Sequence, residues 1–584
     1  GVTEPTLVSL GRLWTIGYAL FALLTLACAW LLWRRSIDAV PGSSADSGKP
    51  PIARSPFEGL SDVTCTRRLR WALLSFAPSS LMLGVTTYLS TDIAPIPLFW
   101  VIPLGLYLLT FVLVFARRRL VPHAWMVRAL PIIILPLAIM TITRESRPLW
   151  WLIPLHLLTC FVAAMICHGE LAKDRPPAPH LTEFYLWMSV GGVLGGLFNA
   201  LMAPLMFDAI FEYPLAMFVV CLLRPAPGAD DHELRSHWLD YVLPVALGAL
   251  VASFSLALNV LPSPPSEFVK RAVIYGPAAL LCYASRYRPV RFGLGIGAFL
   301  FAGLLSTSTW ERTLHMERSF FGAYRILFTL GPDAPYHRLE HGTTLHGMQS
   351  LHPLRRREPL TYYHRTGPLG QMFDTFAGDA PRLHHVAVIG LGTGTTACYA
   401  SPGQTWTFYE IDPLVQRLAT NPRYFTYLRD CLERPNIVLG DARRSLLHAP
   451  DHSYNVLVVD AFSSDAIPMH LLTKEAFQLY LAKLADQGII AFHISNRYLK
   501  LEPVLGAALD AMGLVGSGLK DFNVSEAERE WGKAASHWVA IARTREDLGA
   551  LAAKGSHWHR VRPRPGISAW TDDFSNILSG LNWR

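Results

Sequence analysis

The chain has 584 residues, which is longer than one ordinary domain. Hydrophobic residues make up 51% of it and charged residues only 16%, a balance that excludes an ordinary soluble enzyme of this size and indicates a membrane protein. The formal net charge of +8 is modest, and the arginines lie mostly at the ends of apolar runs. That placement is typical of membrane topology and not of a nucleic-acid-binding surface, so we expect no nucleic-acid partner.

Apolar runs of the length that crosses a bilayer fill the first 310 residues. We predict about nine or ten transmembrane helices from them, because two of the runs are shorter than the roughly twenty residues that a bilayer core requires. The runs cover residues 13–33, 71–90, 97–116, 126–143, 149–167, 184–206, 209–223, 238–261, 272–284 and 292–309. The stretches 36–70 and 168–175 are polar and predict loops. Basic residues place four loops in the cytoplasm. With ten spans the region after residue 309 lies outside the cytoplasm, and with nine spans it lies inside, so the count does not decide its side.

Small residues recur four positions apart in the run 184–206, at Gly191-Gly192 and Gly195-Gly196. This spacing predicts a face on which two helices pack closely. Glu183 and Asn199 are polar groups in or near the same run. Such groups are costly inside a membrane and point to function, although Glu183 fits the first turn of a helix equally well.

The character of the chain changes after residue 310. Short runs punctuated by turns predict a small antiparallel sheet, and from residue 383 strands alternate with helices, which predicts a parallel α/β sheet. The predicted strands are 386–389, 405–409, 437–439, 456–459 and 489–493. We therefore divide the chain into a multi-span membrane region, 1–310, a small β-rich part, 311–380, and a Rossmann-like domain of the class I methyltransferase type, 381–584.

The stretch 385–412 organises the second half of the chain. Its first strand runs into three glycines and a segment with helical spacing. The glycines are Gly390, Gly392 and Gly394. Glycines at such a turn let the backbone pass close to a ligand, and the helix after the turn favours polar or anionic groups. The next strand ends on Glu410, which is placed to accept hydrogen bonds from ribose hydroxyls. Thr395 stands where a dinucleotide site has its third glycine, which favours an S-adenosyl ligand over NAD; the alternative is that the glycines are only structural.

Carboxylates follow two further strand ends, where α/β nucleotide folds bind their ligands. Asp441, next to Ala442, follows the third strand and is placed to accept from an adenine amino group. Asp460 and Asp465 follow the fourth strand. A carboxylate beside an amine both holds it and takes its proton, although these two residues also fit a loop-capping role.

Three polar residues of the small β-rich part are placed to close over the same ligand. They are Gln349, Tyr362 and His364, and His364 fits a structural histidine equally well. The segment 493–498, after the fifth strand, either faces the acceptor or forms a turn. The eight cysteines are scattered without a C-x-x-C pair, so we expect no metal site and no disulfide framework.

Several of these motifs together resemble a known family. They are 341–349 (HGTTLHGMQ), 358–371, the GLGTGT turn, 410–412 (EID), 440–442 (GDA) and 460–468, with 79–88, 167–170 and 570–576 (WTDDFSN) elsewhere in the chain. The part from about residue 319 resembles the spermidine synthase family, and the whole chain resembles membrane-fused spermidine synthase-like proteins. Such proteins often carry further spans upstream, so we expect an N-terminal part beyond this sequence.

The resemblance implies a role for each of these site residues. The implied cofactor-binding residues are Gln349, Gly390, Gly392, Gly394, Glu410, Asp412, Asp441 and Ala442, and the implied catalytic residues are Asp460, Asp465, Tyr362 and His364. Asp460 takes the place of the base that deprotonates an acceptor amine. Two departures affect the acceptor: two residues separate Asp460 from the 463–465 run, where soluble members have D-S-S-D-P or D-S-T-D-P. In addition, Arg365 replaces the acid of the family's Tyr-His-acid sequence.

We expect a membrane-bound aminopropyl or related alkyl transferase. Its co-substrate would be decarboxylated S-adenosylmethionine or S-adenosylmethionine itself, its acceptor a small amine or another small molecule, and no metal would take part. Methyl transfer is the nearest alternative. Two further alternatives remain. One is a polyamine or small-molecule transporter with a regulatory domain, which Glu170, Glu183 and Asn199 suggest, and the other is a membrane-complex subunit with an inactive domain. The expected partner is the lipid bilayer of a membrane of the bacterial inner type, with the synthase domain in the cytoplasm. We expect the protein to be either a homodimer or a subunit of a membrane complex.

Overall fold

The computed structural model describes most of the chain beyond residue 62. The described ranges are 63–93, 99–118, 120–145, 148–226, 237–260, 265–305, 311–462, 467–496 and 499–576, with residues 15, 16, 19, 20, 23, 27 and 30 before them. The predicted span 13–33 therefore lies almost wholly outside the described residues, and so does Asp465. The chain divides into two compact units, Gly1–Asp62 and Val63–Arg584, and the second unit contains all of the helices and strands from Cys65 onward.

Helices occupy each of the other nine apolar runs. They are α1 (Cys65–Tyr88), α2 (Val101–Phe115), α3 (His123–Ile142), α4 (Leu149–Lys173), α5 (Leu181–Leu197), α6 (Ala203–Met206), α7 (Glu212–Leu223), α8 (Leu239–Val260), α9 (Glu267–Ala284) and α10 (Pro289–Leu305). Leu89–Ile93 and Phe198–Met202 continue α1 and α5 as π-helical turns, and Ala178–His180 is a 3₁₀ turn. Helix α1 begins inside the predicted loop 36–70, because Thr64 caps it with a side chain that accepts from Arg67 N–H.

Among the described residues, five helices are long and apolar enough to cross a membrane. They are Cys65–Ile93, His123–Ile142, Leu149–Lys173, Ala178–Met206 and Leu239–Leu258. Val101–Phe115, Glu212–Leu223 and Pro289–Gly303 are apolar but shorter. Length and composition thus make these helices candidate spans.

The predicted polar loop 168–175 is wrong, since α4 continues to Lys173. Its polar residues find partners on neighbouring helices. His168 Nδ1 lies 2.8 Å from the hydroxyl of Thr110, and the Glu170 carboxylate lies 3.0 Å from Arg70. Polar side chains that are paired in this way do not need a loop or water.

The glycines of α5 pack against α1, as their spacing predicted. A Cβ atom at Gly191 would lie 2.2 Å from the carbonyl oxygen of Ala72, and one at Gly195 would lie 2.8 Å from that of Phe76. The hydroxyl of Ser79 donates to the Gly192 carbonyl at 2.9 Å across the same contact. Only glycine allows the two backbones to approach so closely.

Two of the polar residues near α5 are also engaged by α1. Glu183 forms an ion pair with Arg68 at 2.5 Å, and Asn199 donates to the hydroxyl of Ser80 at 2.7 Å. Glu183 lies in the first turn of α5, where an acid suits the helix dipole. These contacts give both residues a structural role between helices.

A four-stranded antiparallel sheet comes after the helices, as predicted. Its strands are β1 (Glu311–Ser319), β2 (Gly322–Thr329), β3 (Tyr336–His341) and β4 (Thr344–Ser350), in that order across the sheet. Two contacts join this sheet to the helices. Arg318 donates to both carboxylate oxygens of Glu212, at 3.1 and 2.9 Å, and Thr343 donates to the Asp92 carbonyl at 2.7 Å.

The second sheet has eight strands in the order β12-β10-β11-β9-β8-β5-β6-β7. They are β5 (His385–Ile389), β6 (Thr405–Glu410), β7 (Asn436–Leu439), β8 (Tyr454–Val459), β9 (Leu484–His493), β10 (Val515–Asp521), β11 (Ser536–Ala542) and β12 (His559–Arg560). The five strands predicted from the sequence, β5 to β9, are parallel to their neighbours among themselves, and β11 is antiparallel to β9. Strands β10, β11 and β12 were not predicted. The order reverses at β5, between β6 and β8, and ligands of α/β sheets bind at such a point.

Helices cover both faces of this sheet. They are α11 (Pro368–Phe376), α12 (Pro413–Thr420), α13 (Tyr427–Cys431), α14 (Ala442–Leu446), α15 (Lys474–Lys483), α16 (Glu502–Met512) and α17 (Glu526–Glu530), with 3₁₀ turns at Ala380–Leu383, Thr395–Tyr399, Met469–Leu471 and Gly549–Ala552. Alternate residues of β5 belong to two different cores: Val386 and Val388 pack with α11 and α12, and Ala387 and Ile389 pack with α15 and α16. A parallel strand buried on both faces reads as a continuous apolar run, which is why the sequence revealed it.

The cysteines differ from the expectation, since two of them are paired. A disulfide joins Cys398, just after the glycine turn, to Cys431 at the end of α13. The two cysteines are 33 positions apart. No local motif marks such a pair, because the fold brings it together.

Candidate active site

A cavity of ≈ 290 Å³ lies at the carboxyl ends of β5, β6 and β8. Seven of the predicted site residues line it: Tyr362, Gly390, Gly392, Glu410, Asp441, Ala442 and Asp460. Gln349, His364, Gly394 and Asp412 lie elsewhere in the domain. The cavity is therefore at the position in the sheet where the sequence placed a nucleotide, and these seven residues come from five separate segments of the chain.

The turn after β5 has a backbone that only glycine adopts readily. Gly390, Gly392 and Gly394 all have positive φ angles, of 99°, 52° and 80°. A Cβ atom at Gly390 would lie 2.3 Å from the Asp460 carbonyl oxygen, and one at Gly392 would lie 2.9 Å from the His346 carbonyl oxygen. Gly394 instead faces Leu428 in the core. The first two glycines thus shape the cavity, and the third lets α13 pack.

The carboxylate of Glu410 is held rigidly at the end of β6. Its two oxygens accept from the backbone N–H groups of Leu391 and Asp412, each at 2.9 Å. Burial raises the pKa of this carboxyl above its usual value, and the backbone hydrogen bonds oppose that shift. Each oxygen keeps a second lone pair for a ligand. Glu410 is therefore a fixed acceptor on the cavity wall, suited to the hydroxyls of a ribose.

Asp441 has two tasks at the start of α14. One carboxylate oxygen caps the helix by accepting from the Arg444 N–H at 2.9 Å, and the other lies 3.5 Å from His470. Asp441 also lines the cavity, and its second oxygen keeps a lone pair that can accept from an amino group of a ligand. Asp412, by contrast, is buried away from the cavity, where it caps α12 through the Leu414 N–H at 2.8 Å.

Asp460, at the end of β8, has a partner for each carboxylate oxygen. Tyr363 donates its hydroxyl to Oδ2, and His493 Nδ1 lies 2.6 Å from Oδ1. Burial raises the pKa of the Tyr363 hydroxyl far above its usual value, so that this group stays protonated and donates. Asp460 is thus a buried carboxylate with a fixed orientation and one edge on the cavity.

The structure separates the residues of the small β-rich part. Tyr362 lines the cavity, and its ring stacks on His493 at 4.7 Å between centroids. The buried amide of Gln349 is occupied by the protein, since it donates to the Arg356 carbonyl at 2.7 Å and accepts from the Thr426 N–H at 2.8 Å. His364 Nδ1 lies 3.0 Å from the hydroxyl of Thr366 in its own loop.

Some cavity residues were not selected from the sequence. Tyr363 stands next to Tyr362, and no sequence rule separates two adjacent tyrosines of a turn. His346 lies on β4 and lines the cavity. Burial lowers its pKa to about 3 and that of His341 to about 4, so both imidazoles are neutral near pH 7. His346 Nε2 and both ring nitrogens of His341 have no hydrogen-bond partner in the described part of the chain.

One group of side chains outside the cavity has metal-ligand spacing. Within the described ranges, Glu502, His537 and His559 lie close enough to share an ion. The ammonium of Lys520, however, lies 2.5 Å from one oxygen of Glu502, and His559 Nε2 lies 2.7 Å from the other. Lys520 already neutralises the carboxylate, so these residues form an ion-pair cluster.

No family model matches the chain. An N-terminal histidine N-methyltransferase of Emericella nidulans is 37% identical over 328 residues, which cover 50% of this chain and 57% of that protein. A polyamine aminopropyltransferase of Vibrio vulnificus is 29% identical over 115 residues, 19% of this chain and 37% of that protein. The chain thus spans a little over half of one curated relative and little more than a third of the other. Both relatives are transferases by name, so the comparison supports a transferase.

Two solved structures are similar at lower identity. A probable spermidine synthase from Corynebacterium glutamicum is 14% identical and has a TM-score of 0.33, with 46% of this chain and 98% of that chain covered. The spermidine synthase from Thermotoga maritima is 13% identical with a TM-score of 0.30, with 47% of this chain and 85% of that chain covered.

Proposed function

We propose that this protein is an integral membrane transferase. Its C-terminal domain would move an aminopropyl or related alkyl group from a decarboxylated S-adenosylmethionine-type donor to an amine or another nucleophile. One observation carries the proposal: a single cavity is lined both by groups suited to a nucleoside, Glu410 and Asp441, and by the buried residue Asp460 next to the glycine turn. The name of the Vibrio vulnificus relative supports the same chemistry.

The arrangement suits transfer from a sulfonium. The leaving group of such a donor is already activated, so the protein needs only to position the two reactants and to accept a proton. Glu410 and Asp441 would fix the nucleoside in the same cavity that Asp460 lines. Asp460 would then hold the acceptor nitrogen and take its proton during attack.

The candidate spans support a place in the membrane. Five described helices have the length and composition to cross a bilayer, and many of their large apolar side chains are exposed. Leu205, Trp150 and Val245 are 88%, 78% and 71% exposed, a cost in water that lipid removes. We place the transferase domain in the cytoplasm, where S-adenosyl compounds are made.

Methyl transfer is a second candidate, favoured by the relative from Emericella nidulans, which is named an N-methyltransferase. The residues that hold the nucleoside would be the same for both reactions. The two differ in which substituent of the sulfonium faces the acceptor. Donor preference therefore separates them.

Calorimetric titration of the purified protein with decarboxylated S-adenosylmethionine, S-adenosylmethionine and methylthioadenosine tests the proposal. We expect the decarboxylated donor to bind at least about tenfold more tightly than the carboxylated one, a difference of about 1.4 kcal/mol. Equal or reversed preference would favour methyl transfer. Absence of binding by all three nucleosides would overturn both candidates.

The variant Asp441→Asn sharpens this test. Asparagine keeps an oxygen to cap α14 through Arg444 N–H, and it turns an NH₂ group toward the position of the adenine amino group. Two N–H donors, one from the asparagine and one from the adenine, would then face each other. This should weaken binding of all three nucleosides by about 1 to 3 kcal/mol without loss of the helix cap. Asp510→Asn, an exposed acid near the end of α16, is the matched control and should bind like the wild type.

A further inference from the structure

The side chain of His493 is buried in a defined hydrogen-bond chain behind Asp460. Both side chains are only 4% exposed. His493 Nδ1 lies 2.6 Å from Asp460 Oδ1, and His493 Nε2 lies 2.7 Å from the hydroxyl oxygen of Ser495. The imidazole also stacks on Tyr362 and Trp538, with centroids at 4.7 and 4.4 Å, so its plane is fixed as well as its edges.

Ser495 determines which ring nitrogen of His493 carries the proton. Its hydroxyl oxygen accepts from the backbone N–H of His537 at 2.8 Å. The single hydroxyl proton of Ser495 then has His493 Nε2 as its acceptor among the described residues. Nε2 therefore accepts, and Nδ1 carries the proton that is donated to Asp460.

We infer that His493 is a positioning residue of the transfer reaction. By donating its Nδ1–H, it holds the Asp460 carboxylate in the orientation in which that carboxylate meets the acceptor nitrogen. The inference rests on the proposed function for the identity of the reaction, and on the hydrogen-bond chain for the role. His493 and Tyr363 each occupy one lone pair of Asp460, which leaves one further lone pair on each oxygen for the acceptor.

The step balances without another reagent. The lone pair of the acceptor nitrogen attacks the carbon bound to the sulfonium, and the N–C bond forms as the C–S bond breaks. The C–S electron pair stays on sulfur, which leaves as a neutral thioether. The proton released by the nitrogen passes to Asp460. His493 acts only through the carboxylate.

Two substitutions separate positioning from simple burial. His493→Leu removes both nitrogens but keeps an apolar group of similar volume between the aromatic rings. His493→Asn keeps an amide N–H near the place of Nδ1 and can still donate to Asp460. His448→Leu is the matched control, because His448 is exposed and its Nδ1 contacts only a carbonyl of its own segment.

The assay is release of methylthioadenosine from decarboxylated S-adenosylmethionine with putrescine as acceptor. We expect kcat to fall about 100-fold in His493→Leu, as for other misplacements of a reacting group. The donor Kd, measured by calorimetry, should stay within about twofold, since the lost interaction is made with the acceptor in the transition state. His493→Asn should recover at least about tenfold of the lost kcat. Unchanged kcat in His493→Leu, or equal losses in both variants, would overturn the inference.

A second measurement does not depend on turnover. In protein labelled with ¹⁵N-histidine, comparison of wild type with His493→Asn identifies the two ring nitrogens of His493. We expect an unprotonated Nε2 and a protonated Nδ1 near pH 7. A protonated Nε2 would overturn the inference by itself. Failure of the wild type to use any amine would overturn the proposed function instead, so the two failures are distinguishable.

Discussion

Arg318 of β1 and Glu212 of α7 form a buried two-point ion pair between the small sheet and the helices. The guanidinium donates at 3.1 and 2.9 Å, and the side chains are 10% and 2% exposed. Removing one member of such a pair leaves the other charge buried without compensation, which costs far more than the net value of the intact pair. This contact fixes β1 to the first residue of α7.

We therefore expect Arg318→Met to lower the free energy of unfolding by about 3 to 5 kcal/mol. Arg417 and Glu317 supply the control, since they form an ion pair at 2.6 Å with side chains that are 60% and 35% exposed. Arg417→Met should cost less than about 1 kcal/mol, because water screens an exposed pair. Unfolding in detergent, followed by circular dichroism, measures both. Similar losses in the two variants would show that the Arg318 pair is not buried in solution.

The glycine turn provides a second comparison. Gly390 and Gly403 both have positive φ angles, 99° and 85°, but a Cβ atom at Gly390 would meet the Asp460 carbonyl at 2.3 Å, and one at Gly403 meets nothing within 4 Å. Gly403→Ala should cost only the conformational strain, about 1 to 2 kcal/mol, and bind the nucleoside normally.

Gly390→Ala should abolish detectable nucleoside binding, because the turn must move away from Asp460 to admit the methyl group. Calorimetry with methylthioadenosine measures the difference between the two alanine variants. Normal affinity in Gly390→Ala would mean that the turn does not shape the ligand site.

The cavity residues at the ends of the parallel strands were easier to predict from the sequence than the side-chain partners of Asp460. Gly390 and Asp441 come just after strands of the parallel sheet and Glu410 ends one, and such strands are visible as apolar runs. The strand ends of a parallel sheet meet at one edge, so these residues could be brought together without a structure. Side-chain partners are not coded in this way. Nothing in the local sequence says that Asp460 contacts Tyr363 and His493, from segments 97 and 33 positions away.

Of the three strands that were not predicted, β11 is a fully buried run with apolar residues, SHWVAIA, whereas β10 and β12 have weak local signals. Strand β10 contains two glycines, Gly516 and Gly518, that pack closely against neighbouring side chains. Strand β12 has only two residues. Both depend on pairing with the rest of the sheet, since short or glycine-containing strands have little preference of their own.

His341 predicts how stability depends on pH. Its imidazole is buried, and burial lowers its pKa from 6.5 to about 4. At a pH between about 4 and 6.5, the imidazole of His341 is therefore protonated in the unfolded chain but not in the folded protein. Stability from this group is complete above about pH 6.5 and is lost as the pH falls toward about 4, by up to about 1.4 kcal/mol per pH unit.

Chemical unfolding between pH 8 and pH 4 measures this loss. His341→Phe keeps a ring against Tyr324, which stacks on His341 at 4.6 Å, and removes the titrating group. We expect a shallower slope below pH 6.5 in this variant. His448→Phe, at an exposed histidine, should keep the slope of the wild type. Parallel pH curves for the wild type and His341→Phe would contradict the assignment.

The disulfide between Cys398 and Cys431 makes the location of the domain testable. The Cα atoms are 4.9 Å apart, within the range that a disulfide bridges. Structural disulfides persist in oxidising compartments and are rare in the cytosol. The cytoplasmic location that we propose thus predicts that this pair is reduced in living cells and closes only after purification in air.

Rapid alkylation of thiols in intact cells, followed by mass spectrometry, measures the state of the pair. We expect both cysteines to be alkylated after denaturation under quenching conditions. Cys160 is the control, because it is a free and buried cysteine of α4 that should be alkylated under the same conditions. An oxidised pair in freshly quenched cells would contradict the cytoplasmic location. It would place the domain on the opposite face of the membrane, and the proposed donor would then have to cross the bilayer to reach the cavity.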